Sequence, residues 1–163
     1  MIKYTDGNLL DSEADILVNA VNCVGVMGKG IALEFKTRYP EMFESYRALC
    51  QKGDIQVGRL FLWKGPKTKP IFNFPTKEHW KNKSEIEWID NGLQVLRKSL
   101  LEVFPDKSIA IPKLGCDNGG LNWEDIKPLV VKHLGDLDND IYIYEGRSHA
   151  TDRNNLGYRR RLS

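Results

Sequence analysis

Twice along this chain a short apolar strand breaks into a glycine-rich loop that runs directly into a helical pattern. The first unit is the strand 16–20, Asn22, the loop Gly25-Val26-Met27-Gly28-Lys29-Gly30 and a helix-like stretch from Ile31. The second is the strand 109–111, the loop Gly115-Cys116-Asp117-Asn118-Gly119-Gly120, then a helix with Glu124 and Asp125 in its first turn. A loop of this kind presents bare backbone N–H groups beside a positive helix terminus, which suits a phosphate. Two of them at the carboxyl ends of neighbouring strands would clamp a diphosphate-like ligand from both sides. Strands alternating with helices around such a pair imply a layered α/β domain with a mostly parallel or mixed sheet.

Neither loop carries one of the familiar nucleotide fingerprints. After Gly28-Lys29 comes Gly30, where a Walker loop needs a Ser or Thr for magnesium, and the glycines at 25, 28 and 30 run in the reverse order of G-x-G-x-x-G.

Six short apolar strands are expected, at 2–4, 16–20, 60–63, 71–74, 109–111 and 141–144. Helical patterns lie between them at 31–38, 41–51 (with Pro40 at the first position), 84–103 and 123–134. In the third, Ile86, Ile89, Leu93, Leu96 and Leu100 form one apolar stripe. Ser84 followed by Glu87 reads as a capping box, Gly92 costs that helix about 1 kcal/mol against alanine, and Pro128 should delay or bend the fourth helix.

The length of 163 residues fits one domain. Cys23, Cys50 and Cys116 are odd in number and scattered, and the start lacks signal-peptide architecture, so a cytoplasmic setting is expected. No apolar run approaches the roughly 18 residues of a spanning helix, and the three histidines have no metal-ligand spacing. No membrane, metal or cofactor is therefore expected, and the chain should be a monomer. The segment 147–163 holds five arginines against Asp152 and is poor in apolar residues. It reads as a basic, disordered tail after a domain spanning 1–146.

The strand 71–74 ends in Pro75-Thr76-Lys77-Glu78-His79-Trp80-Lys81-Asn82-Lys83. At a strand end Lys77 can reach what the glycine loops hold, either as a cation or, if desolvated, as an amine nucleophile. Lysines around one tryptophan also suit a single-stranded nucleic acid, although Trp80 by itself is expected to pack inward. Asn19 and Asn22 can hydrogen-bond a ribose or satisfy loop backbone. Asp117 and Asn118 can orient a water or serve as turn residues. Of Tyr142 and Tyr144 against Ile141 and Ile143, one pair faces the core and the other lines a cleft. Cys116 has no histidine near it in sequence for thiol chemistry.

The start Gly7-Asn8-Leu9-Leu10, the run Val18-Asn19-Ala20-Val21-Asn22 and both loops, through Ile31-Ala32 and through Leu121-Asn122-Trp123, resemble the macro domain family of ADP-ribose binders and hydrolases. The resemblance covers residues 1–146 and implies a three-layer α/β/α sandwich with a mixed, roughly six-stranded sheet. Asn73-Phe74-Pro75-Thr76-Lys77 with His79 and Trp80 is similar to the antitoxin macro domains that remove ADP-ribose from DNA, the DarG group.

In that group the lysine matching Lys77 is catalytic, and the resemblance implies that role here. It places Asn22 at the distal ribose, Gly28, Lys29, Gly30, Ile31 and Ala32 on one side of the diphosphate, and Gly115, Cys116, Asp117, Asn118, Gly119, Gly120 and Leu121 on the other. Asn8, Leu9, Asn19, Thr76 and Tyr144 complete the implied ligand-binding set. Asn8 stands where many members have Asp, and Asp117-Asn118 replaces a Gly-Leu pair. The implied activity is removal of ADP-ribose from a substrate, foremost single-stranded DNA, with a cognate ADP-ribosyltransferase toxin as partner. An ADP-ribose 1''-phosphate phosphatase, a non-catalytic ADP-ribose reader and a nucleic-acid-binding module are the alternatives.

Overall fold

The computed structural model describes residues 1–146, so the expected tail lies outside the described residues. In chain order the elements are β1 (Ile2–Asp6), a 3-10 turn (Leu9–Asp11), β2 (Ile16–Val21), α1 (Gly30–Arg38), α2 (Pro40–Gln51) and β3 (Phe61–Trp63). Then follow β4 (Ile71–Pro75), α3 (Ile86–Glu102), β5 (Ile109–Pro112), α4 (Trp123–Leu134) and β6 (Ile141–Gly146). One six-stranded sheet runs β1-β6-β5-β2-β4-β3. Every neighbouring pair is parallel except β3 with β4, which is antiparallel.

Alternation along the strands sorts the side chains into two cores. Ile16, Val18, Phe72, Phe74, Ile109, Ile111, Ile141 and Ile143 face α3 and α4, whereas Leu17, Val21, Ile71 and Ala110 face α1 and α2. The result is a three-layer α/β/α sandwich. Of the expected α3 stripe, Ile89, Leu93, Leu96 and Leu100 are fully buried, each contributing about 1.5–3 kcal/mol. Ile86 instead lies exposed on the first turn.

Of the local expectations, the capping box and a delayed start of the fourth helix need correction. The capping box does not form: Glu85 is the N-cap, without a side-chain hydrogen bond, and the helix begins at Ile86. Ser84 is drawn under a neighbouring loop, its N–H donating to the Gly119 carbonyl at 2.9 Å. Gly92 is more than a cost to α3, because the Phe74 ring packs on its bare Cα; a Cβ there would lie 2.3 Å from Phe74 Cζ. And α4 starts at Trp123 and runs on through Pro128.

The parallel strands β1, β6, β5, β2 and β4 all end on the same edge. No helix among the described residues is long and apolar enough to cross a membrane.

Candidate active site

A cleft of about 1150 Å³ opens on that edge, large enough for a nucleotide diphosphate with a second sugar. It is lined by the strand ends: Ala20 to Asn22 at the end of β2, Thr76 and Lys77 after β4, Pro112 and Lys113 at the end of β5, and Tyr144 to Gly146 on β6.

The first wall is the loop between β2 and α1, shaped by Asn22. The Asn22 amide donates to the Val26 carbonyl at 2.7 Å, and its oxygen accepts from the N–H groups of Val24 at 3.0 Å and Val26 at 3.4 Å. The buried Tyr46 hydroxyl, from α2, donates to Asn22, its oxygen 2.7 Å from Oδ1 and 2.8 Å from the backbone carbonyl. Gly25 and Gly30 take φ of +86° and +55°, a region that favours glycine. Lys29, the N-cap of α1, supplies no side-chain hydrogen bond and the first turn holds no acid. Gly30, Ile31 and Ala32 therefore reach the cleft at a helix terminus open to an anion.

The second wall follows β5. Leu121 N–H closes this loop on the Gly115 carbonyl at 3.0 Å. A Cβ on Gly119 would lie 2.3 Å from both the Gly115 oxygen and Ser84 Oγ, so only glycine fits without rearrangement. The walls approach each other over the cleft. The Asn118 side-chain nitrogen stands 3.5 Å from where a Cβ on Gly30 would sit.

Lys77 is half-buried in the cleft, its amine donating to the Trp80 carbonyl at 3.1 Å. Burial pushes that amine below the ordinary lysine range, and the Lys29 ammonium adds to the effect. Burial also raises the Cys116 thiol to about 11, which leaves it protonated and a poor nucleophile at neutral pH. Tyr144 on β6 and Lys77 after β4 are separated by β5 and β2, three strand spacings or roughly 14 Å. The cleft therefore has two ends, an aromatic one and an amine one, with both amide-rich walls between them.

Of the residues expected at a ligand, the cleft gathers Leu9, Asn22, Gly28, Lys29, Gly30, Ile31, Ala32, Thr76, Lys77, Gly115, Cys116, Asp117, Asn118, Gly119 and Tyr144. Four are placed elsewhere. Asn19 is fully buried in the sheet, where its amide donates to Asn73 Oδ1 at 3.1 Å. It sits two residues before the end of β2, away from the residues that line the cleft. Asn8 accepts from the Leu10 N–H at 3.1 Å and borders a shallow depression behind the 3-10 turn. Gly120 faces the Lys83 side chain, and Leu121 packs beneath Gly115. Trp80, expected inside, is 46% exposed and lines the cleft. Lys81, one of the lysines expected around the tryptophan, lines it too, and Lys113 and Glu145 line it without having been anticipated. Lys113 directly follows β5 and Glu145 stands next to last in β6, and that position was the signal available for them.

A family model described as "Macro domain" matches residues 18–130. The chain belongs to the macro domain family.

Among curated relatives, the DNA ADP-ribosyl glycohydrolase of Mycobacterium tuberculosis (strain ATCC 25618 / H37Rv) is 46% identical over 160 residues, covering 93% of this chain and 45% of the relative. This macro domain thus spans about half the length of the curated relatives it matches. The solved macrodomain of Mycobacterium tuberculosis DarG superposes with a TM-score of 0.84 at 46% identity, covering 88% of this chain and 97% of that one. Thermosipho africanus DarTG in complex with ADP-ribose superposes with a TM-score of 0.82 at 32% identity, covering 88% and 41%. A weaker likeness, 26% over 159 residues, links the macro domain to the ADP-ribose 1''-phosphate phosphatase of Lodderomyces elongisporus, covering 88% of this chain and 99% of the relative.

Proposed function

We propose that this macro domain binds ADP-ribose along its cleft and hydrolyses the N-glycosidic bond between that group and a base of single-stranded DNA. The observation that carries the reading is Lys77, whose amine shares the cleft with both walls and is weakened as a base by burial and by Lys29. The 46% identity to a protein named DNA ADP-ribosyl glycohydrolase supports it.

Backbone N–H groups of the two walls hold the diphosphate, each charge-assisted bond contributing about 1.5–3 kcal/mol. The adenosine lies toward Tyr144 and the distal ribose toward Lys77. There the lysine amine attacks C1'', the C–N bond to the base breaks, and the base departs with the bonding electron pair and takes up a proton. Water then releases ADP-ribose from the lysine. A lowered pKa favours this route over simple stabilisation of the departing base by an ammonium.

The test is release of ADP-ribose from an ADP-ribosylated oligonucleotide. Lys77→Ala is expected to lower kcat by about a hundredfold or more, while calorimetry finds ADP-ribose affinity within about threefold of wild type. An unchanged kcat removes Lys77 from the mechanism. Binding of ADP-ribose with no turnover of any substrate by the wild type would make the domain a reader.

A second reading, removal of phosphate from ADP-ribose 1''-phosphate, is favoured by Asp117 and Asn118 on the second wall and by the phosphatase likeness. Offering that substrate to wild type, Lys77→Ala and Asp117→Asn separates the two. A relative named as a DNA ADP-ribosyl transferase-DNA ADP-ribosyl glycohydrolase fusion, from Thermosipho africanus (strain H17ap60334), supports a partner here: a transferase toxin whose product this domain removes in the cytoplasm.

A further inference from the structure

We propose that the turn after β4 is a track for the DNA strand next to the modified nucleotide. The Trp80 indole stacks on a neighbouring base, and Lys81 and Lys83 contact its phosphates. The inference rests on the DNA reading above and adds to it how the strand is held.

Trp80 is the only tryptophan among the exposed large apolar side chains of the described residues. It stands on a turn braced from within: Lys81 N–H donates to His79 Nδ1 at 3.1 Å and Asn82 N–H to the His79 carbonyl at 3.1 Å. The His79 ring lies beside the indole, centroids 5.4 Å apart, and the Lys81 ammonium is 5.2 Å from the indole centroid. The side chain of Lys83 runs over Gly120, 3.5–3.8 Å from where a Cβ there would sit. An exposed indole with the Lys81 ammonium over its ring, and Lys83 nearby in sequence, supplies what a single strand needs: a ring for a base and cations for its backbone. Glu78 and Glu85 are the acids that interrupt this stretch in sequence.

Placement supplies the direction. The Trp80 carbonyl accepts the Lys77 amine, so the indole belongs to the amine end of the cleft, far from Tyr144. A group leaving C1'' departs at that end, and the strand attached to it passes over Trp80.

Fluorescence titration of the full chain with unmodified DNA of one, three and six nucleotides reads the track without any chemistry. Affinity is expected to rise with length and tryptophan emission to fall. Trp80→Ala should lose about 5- to 100-fold on the six-mer, Trp80→Phe most of that loss regained. Replacing Lys81 and Lys83 together by alanine should flatten the slope of log affinity against log salt by about 1.4. Thermal unfolding of Trp80→Ala should match wild type, because the ring is exposed. Equal affinity of Trp80→Ala and wild type, or no dependence on length, overturns the track whatever happens to modified DNA. A wild type that binds through Trp80 yet releases no ADP-ribose from modified DNA overturns the glycohydrolase reading and upholds the track.

Discussion

The wall before α1 is laced together by side chains, whereas the wall after β5 is closed by the absence of one. Asn22 and Tyr46 draw the first loop shut with directed hydrogen bonds from a strand end and a neighbouring helix. Gly119 lets the second loop fold onto the Gly115 carbonyl and onto Ser84 with no room for a methyl group. Both walls line one cleft, yet they should fail differently. A hydrogen-bonded clasp loosens by degrees as partners are removed, and a steric closure is either intact or lost.

Gly119→Ala is the strongest way to test that contrast. The new carbon must displace a backbone oxygen, at a cost of about 3 kcal/mol, and ADP-ribose binding by calorimetry should fall more than tenfold. Wild-type affinity in this variant would refute the steric closure. Tyr46→Phe removes one buried hydrogen bond to Asn22 and leaves its acceptors short, costing about 1–2 kcal/mol in denaturant unfolding, with only a severalfold loss of ADP-ribose affinity. A collapse of binding there would mean the first wall is as brittle as the second.

Lys29→Ala asks whether the first wall also tunes the chemistry. Lys29 lowers the Lys77 pKa, so its removal should raise that pKa and shift the rising limb of the pH–rate profile to higher pH. A limb that stays put would mean burial alone sets the amine. Ser84→Ala should do least. Ser84 Oγ is buried with no hydrogen-bond partner, so its deletion strands nothing and the unfolding midpoint should move little or slightly upward.

Elements and layers were legible because period and punctuation are local: alternating Ile141 to Tyr144, the Leu93, Leu96 and Leu100 stripe, and glycines after strands. Both cradle loops were legible for the same reason. What escaped depended on partners distant in sequence. Asn19 reads as a ribose contact until Asn73, 54 positions away, takes its amide. Ser84 and Glu87 satisfy a capping pattern, but the Gly119 carbonyl takes the Ser84 N–H. Trp80 has the composition of a core residue, and only the course of a self-bonded turn leaves its ring outside.

The Asn19–Asn73 pair has a consequence for the amine. These two residues are opposite each other in the register of β2 with β4, on a face otherwise apolar. Sliding either strand by one position would turn an amide toward the wrong layer and leave a polar group stranded in oil, at a cost of about 1–3 kcal/mol for each group. The pair thus works as a key that admits a single alignment. Four residues beyond Asn73 comes Lys77, and three beyond Asn19 comes Asn22, so the same key sets how far the amine protrudes relative to the clasp of the first wall.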